Sequence, residues 1–227
     1  MRILVLSFLL VLLVTTVSAQ TDSLRVRTRK AGADSLRTLE IGVLAGRWYN
    51  ELDTSPGIEQ ASLEGDVYGI ALRYFSNRFV GFQAEIVREG GGWQQTIDTF
   101  AVDYRRELDY LTFQILTQVA PTRGTFRPLI QAGPYVSIPI GEEEFLPPGY
   151  EAPPPETLTY FGRPIDFRIN YGLVVGGGLY LSLGRIGIQA EGRYLFGLSD
   201  LIRPGESQAA TSRRVAYGGR LVVWYGF

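Results

Sequence analysis

The chain closes on "RRVAYGGRLVVWYGF", residues 213–227. Counting back from Phe227, one alternate set is Phe227, Tyr225, Val223, Leu221, Gly219, Tyr217 and Val215. The interleaved set is Gly226, Trp224, Val222, Arg220, Gly218, Ala216 and Arg214. A repeat of two marks a β-strand, whose successive side chains leave on opposite faces. One face is apolar or glycine throughout, and the other carries two arginines. The odd face is therefore read as facing lipid, with Arg214 and Arg220 pointing into an interior.

The same alternation recurs in residues 39–49, 67–75, 79–87, 110–120, 126–140, 167–183 and 185–198. These segments are longer than the ~5–6 residues usual for strands of globular proteins. They suit a tilted membrane strand, which needs ~9–11. Aromatic residues gather near segment ends (Tyr49, Tyr68, Tyr74, Tyr194, Tyr225, Phe227), as in the girdles at the two bilayer interfaces. Short connections ("SNR", "PTRG", "GR") alternate strictly with long ones at 50–66, 88–109, 141–166 and 199–212. Outer-membrane barrels place tight turns on the periplasmic side and long loops outside. The expected fold is all-β: an eight-stranded, antiparallel, up-and-down transmembrane β-barrel over residues 39–227, with both termini periplasmic. Pro128, Pro134 and Pro139 are awkward in a sheet without a free edge. Parity is read as pointing all three outward, with a bulge or a missing ladder bond expected at Pro134.

Residues 1–19, "MRILVLSFLLVLLVTTVSA", have a cationic start, an apolar core and a small-residue end, the pattern of a secretory signal peptide. Residues 20–38 form a basic periplasmic lead-in carrying Arg25, Arg27, Arg29 and Lys30, with "DSLR" occurring twice. The compartment expected is the bacterial outer membrane. Charge is near balance, with 22 Lys and Arg against 23 Asp and Glu, so nucleic acid is not an implied partner. The sequence contains neither cysteine nor histidine. That removes disulfides, the usual zinc, copper and haem ligands, and the commonest general base. No cofactor, metal or catalytic residue is implied, and an enzyme is not expected.

The run "LDYLTFQILTQVAPTRGTFRPLIQAGPYVSIPI" (108–140) resembles the PorT-like outer-membrane β-barrel domain family of Bacteroidota. So do "FRINYGLVVGGGLYLSLGRIGIQAEGRYLFGLSDL" (167–201) and the aromatic C-terminus. The resemblance spans roughly 39–227. It implies fold and location, and the namesake's link to type IX secretion supplies a second reading of the chain as an accessory to a secretion or envelope-assembly machine.

Parity places Glu40, Arg73, Glu85, Arg127, Arg168, Glu191, Arg193 and Arg220 inside, as a packed and slightly cationic polar network. A charge buried there must be paired. The long loops read as acidic, with Phe145 and Tyr150 of the third presented to a partner and Arg25, Arg27, Arg29 and Lys30 available to another. Phe227 resembles the terminal aromatic by which barrels are recognised for insertion. The expected partners are outer-membrane lipid, the barrel-insertion machinery and an envelope protein. The expected role is structural or binding, with a narrow solute or ion pathway as a further alternative.

Overall fold

The structure is a computed structural model; it describes residues 39–55, 57, 60–76, 79–95, 103–121, 124–149, 165, 168–203 and 210–227. The leader and basic segment, Tyr150 and the turn arginines Arg78 and Arg123 lie outside the described residues. The strands are β1 (Leu39–Ser55), β2 (Gln60–Ala61), β3 (Leu63–Phe75), β4 (Val80–Gln95), β5 (Tyr104–Val119), β6 (Phe126–Phe145), β7 (Asn170–Leu183), β8 (Ile186–Asp200) and β9 (Thr211–Gly226). Eight are long and every pairing is antiparallel; β2 is a two-residue addition against the outer end of β4. Each long strand pairs with its sequence neighbours, and β1 pairs with β9, so the sheet closes on itself.

Closure fixes the stagger. A row of direct partners runs Tyr180, Gln189, Val222, Leu44, Gly69, Val87, Thr112, Ser137 and back to β7 at Asn170. One circuit therefore returns ten residues further along β7. For eight strands that stagger corresponds to a tilt of about 40° and a climb of about 3 Å per strand around the row.

Faces follow the alternation. Ile41, Val43, Ile70, Leu72, Ile115, Ile130, Val175, Leu221 and Val223 are exposed outward, while alternate residues are buried inside. Leu44, Trp48, Val87, Leu116, Leu195, Val222 and Trp224 form the apolar part of the interior. The outward apolar band is uneven. It covers Leu39–Ala45, Tyr68–Tyr74 and Val80–Ile86 on β1, β3 and β4, then gives way to Arg47, Asp66 and Arg88. On the opposite wall it runs from Phe126 to Ile140, from Leu183 back to Ile169, and from Ile186 to Leu198. At the height gained per residue on a tilted strand, that is about 15 Å against about 30–35 Å.

The strands outrun the apolar segments that announce them. Residues 50–55, 63–66, 88–95, 104–109 and 141–145, expected as loops, are strand. Hydropathy contrast ends where lipid ends, whereas the ladder continues into water. There outward charges pair across the sheet: Arg47 with Glu64 at 3.0 Å and Asp66 at 3.4 Å, and Arg88 with Asp109 at 2.6 Å.

The prolines sit differently from expectation. Pro128 and Pro134 are exposed on the outward face, but Pro139 is on the inward parity and half-buried. The bulge falls beside Pro139, where Asp109 pairs with Gly141 but Tyr110 with Pro139, leaving Ile140 unpaired. At Pro134 the β5–β6 register passes from Gln114↔Tyr135 to Thr117↔Ala132 and skips the two pairs between. At the β7–β8 turn Gly184 has φ +67°, a left-handed conformation that glycine adopts without steric cost.

Candidate functional site

The interior is built from short stretches of alternation, each strand delivering one or two polar side chains at a given depth. At the periplasmic end Glu40 and Arg73 are direct cross-strand partners and form an ion pair. Arg73 also donates to Gln189 Oε1 at 2.7 Å, and its guanidinium lies 4.1 Å from the Trp224 ring centre and 4.8 Å from that of Tyr180. Tyr180 donates to Glu40 at 3.2 Å, and the Trp224 indole N–H to Gln189 at 3.0 Å. Flat aromatic faces on a delocalised cation supply attraction without demanding another carboxylate.

At mid-depth four charges from three strands meet. Arg193 grips Glu85 with both terminal nitrogens, at 2.8 and 3.1 Å, and donates to Gln114 at 2.7 Å. Its Nε lies 2.9 Å from Glu191. Arg220 pairs with both Glu85 and Glu191, the latter its direct cross-strand neighbour. Gln83 donates to Glu85, and Gln131 and Gln189 to Glu191. Two carboxylates held by two guanidiniums and amides satisfy the rule that buried charges be paired and hydrogen-bonded.

Towards the outer side Glu89 is the hub. It accepts from the Trp48 indole at 2.8 Å, from Arg214 at 2.9 Å and from Thr112, which is 2.7 Å from Ser137. The Arg214 guanidinium rests 4.3 Å from the Tyr110 ring centre. Above this level Leu52, Trp93, Tyr104, Leu108, Tyr110, Leu201 and Ile202 form a separate apolar cluster. Arg106 is buried beside it, 5.6 Å from the Trp93 ring centre and paired with Glu142. Burial and the hydrogen bond donated to Glu144 push the Tyr104 phenol well above its ordinary range.

Six of the eight residues read as interior are buried: Glu40, Arg73, Glu85, Glu191, Arg193 and Arg220. Two are not. Arg127, one residue into β6, is half-buried at the rim, bonds the Gly124 carbonyl at 2.8 Å and lies 5.4 Å from the Tyr180 ring centre. Arg168 precedes β7 and is exposed. Parity assigns a face but not a depth, and both residues sit where the wall ends. Glu89 and Arg106 fall in stretches whose hydropathy reads as loop; continuing β4's alternation two residues past Val87 turns Glu89 inward. Within the spanning part the buried charges balance, with Arg73, Arg193, Arg214 and Arg220 against Glu40, Glu85, Glu89 and Glu191. The expected cationic excess is absent among these groups. Phe145 is exposed at the end of β6, beneath the Arg105 guanidinium at 4.6 Å. Phe227 is exposed, its ring edge-on to Tyr225 at 5.4 Å.

A closed antiparallel ring with an apolar outer belt and a polar, paired interior defines an integral β-barrel of the bacterial outer membrane. The chain belongs to the outer membrane protein beta-barrel domain family, whose model matches residues 18–203. Strand β9 lies beyond that span and is placed by its ladders to β1 and β8. Among solved structures, the outer membrane protein OprG from Pseudomonas aeruginosa is similar at 9% identity, over 84% of this chain and 98% of that one, with a TM-score of 0.51. Neisserial surface protein A shares 13% identity over 82% of this chain and 97% of its own, with a TM-score of 0.47. The outer membrane enzyme PagL shares 10% identity over 83% and 99%, with a TM-score of 0.38. No curated protein matches the chain.

Proposed function

We propose that this barrel has a non-enzymatic structural or binding role in the outer membrane. The observation carrying this reading is the interior, where ion pairs from β4, β8 and β9 cross at mid-depth and an apolar cluster lies above them. Eight-stranded barrels are about wide enough for side chains to fill, and this filling leaves surfaces rather than a passage as the working parts. The lack of histidine supports the non-enzymatic half of the reading. Planar-bilayer recording of the folded full chain tests it: silence is expected, and reproducible unitary currents would favour the solute-pathway alternative instead.

A second reading, an accessory of a secretion or envelope-assembly machine, rests on the PorT-like resemblance and the basic run Arg25, Arg27, Arg29 and Lys30. In it the basic segment docks a periplasmic partner, while Phe145 and Tyr150 serve the outer side. Cross-linked pull-down with and without residues 21–37 tests this, since a partner independent of that segment removes its basis. Phe227 is assigned the insertion signal, so Phe227→Ala is expected to lower the folded yield in the outer membrane without changing expression.

A further inference from the structure

Strand β6 outruns one of its neighbours. Its ladder to β5 continues to Phe145, opposite Arg105, whereas its ladder to β7 stops at Ser137, opposite Asn170. The same register would set Ile169 and Arg168 opposite Ile138 and Pro139, yet neither is in a strand. Ile165, a few residues earlier, packs against the apolar cluster of the mouth. Among the described residues nothing pairs with residues 138–145 on that side. The other edge of the same outer sheet is treated differently, since β2 covers β4 at Gln94 and Gln95. An uncovered edge presents alternate N–H and C=O groups, on which an extended chain can add as a further strand. Pro139 withholds an N–H and Ile140 bulges, so the regular part of this edge is residues 141–145.

The bulge also decides which side chains line the edge. Before it Tyr135 and Ser137 are buried; after it Glu142 and Glu144 take the inward side and reach Arg106 and Tyr104. Glu143 is thereby turned outward, directly opposite Glu107 on β5. Like charges facing each other across a ladder are destabilising. Over β3 to β6 the outward surface forms a hollow of about 520 Å³, lined by Glu64, Asp66, Glu107, Asp109 and Glu143. The first four each have a cation: Arg47 holds Glu64 and Asp66, Arg105 holds Glu107 at 3.0 Å, and Arg88 holds Asp109. Glu143 is exposed and has none among the described residues. The carboxylate left without a cation thus stands on the strand whose edge is open.

That charge argues against a second copy as the occupant. Two barrels related by an axis along the membrane normal would bring Glu143 to Glu143 at one height. It favours a strand that carries a cation. We propose that residues 141–145 of β6 accept an extended, basic segment of another protein as an added antiparallel strand, with a Lys or Arg side chain beside Glu143. Such pairing is one form of the binding role proposed above and rests on it; the bilayer recording tests that role independently of any peptide.

The test titrates a fluorescent peptide, acetyl-Lys-Val-Lys-Val-Lys-Val-Lys-amide, against the full chain folded in phosphatidylcholine vesicles. Saturable binding is expected, and none by the counterpart with Glu for each Lys. Two further peptides carry N-methyl groups on the Lys or on the Val amides. A strand turns only one of these sets towards its partner, so one should bind about tenfold or more weaker and the other nearly as the parent. The sequence has no cysteine, so single cysteines report position. A peptide ending in cysteine should form a disulfide with Phe145→Cys in preference to Tyr68→Cys, and Glu143→Lys should weaken binding several-fold. Heat-modifiable gel migration checks that each variant is folded. No saturable binding, equal binding of both methylated peptides, or equal binding of the acidic peptide overturns the proposal on wild type alone. Preferential capture at Tyr68→Cys, or unchanged binding in folded Glu143→Lys, overturns it as well.

Discussion

Glu85 lies between two guanidiniums in a space without water-exposed surface, so its loss leaves Arg193 and Arg220 to share the single carboxylate of Glu191 and one buried positive charge uncompensated. Removing one partner of a buried pair costs about 3–5 kcal/mol. Glu85→Ala is expected to lower the unfolding free energy of the vesicle-folded protein by that order, with a correspondingly lower urea midpoint read from the fluorescence of the buried Trp48, Trp93 and Trp224. Arg47→Gln breaks an exposed pair worth at most about 1 kcal/mol, and an equal shift in the two variants would contradict the assignment. Adjacent glycines give a second contrast. Gly218→Ala drives a Cβ into the Arg47 carbonyl and should abolish folding or cut the midpoint steeply, whereas Gly219→Ala should be neutral or slightly stabilising. At this scale the interior was legible wherever alternation was unbroken, as at Glu85, Glu191, Arg193 and Arg220. It was not legible at Arg127 and Arg168, because a residue's face says nothing about its distance from the rim.

Along the strands, the boundary between ladder and loop is a hydrogen-bond boundary, while the boundary visible in sequence is a solvent boundary. The two coincide on the periplasmic side, where the apolar segments run into turns such as Gly184-Arg185. They separate by several residues on the outer side, where Arg88, Asp109 and Glu142 replace leucines and isoleucines without ending the strand. Amide exchange in vesicles should therefore show protection through residues 88–95, 104–109 and 141–145, slower than an open loop by orders of magnitude. Rapid exchange there, at the rate of an unstructured chain, would mean that the sheet stops at the bilayer surface. Pro139 illustrates the same limit: its odd number puts it on the inward set, against the outward reading, and the unpaired Ile140 beside it depends on the register with β5, which no single strand encodes.

Across the whole barrel, closure was inferable from the count of long alternating segments and their short and long connections. The stagger of ten residues was not, because it belongs to all eight ladders together. The uneven apolar belt has a mechanical consequence. Against β6–β8 the belt matches or exceeds a hydrocarbon core of about 30 Å, whereas against β1, β3 and β4 it reaches only about half of that. Since mismatch costs fractions of a kcal/mol per Å, refolding should be faster and more complete in bilayers of short-chain than of long-chain phosphatidylcholine. A belt of about 30 Å on every wall predicts no such preference from mismatch, and equal refolding in the two would contradict the short wall. Arg47, Asp66 and Arg88 thus act on the membrane as well as on one another. The expected consequence is that headgroups are drawn down along that one wall, leaving the bilayer thinner beside β1, β3 and β4 than beside β6–β8.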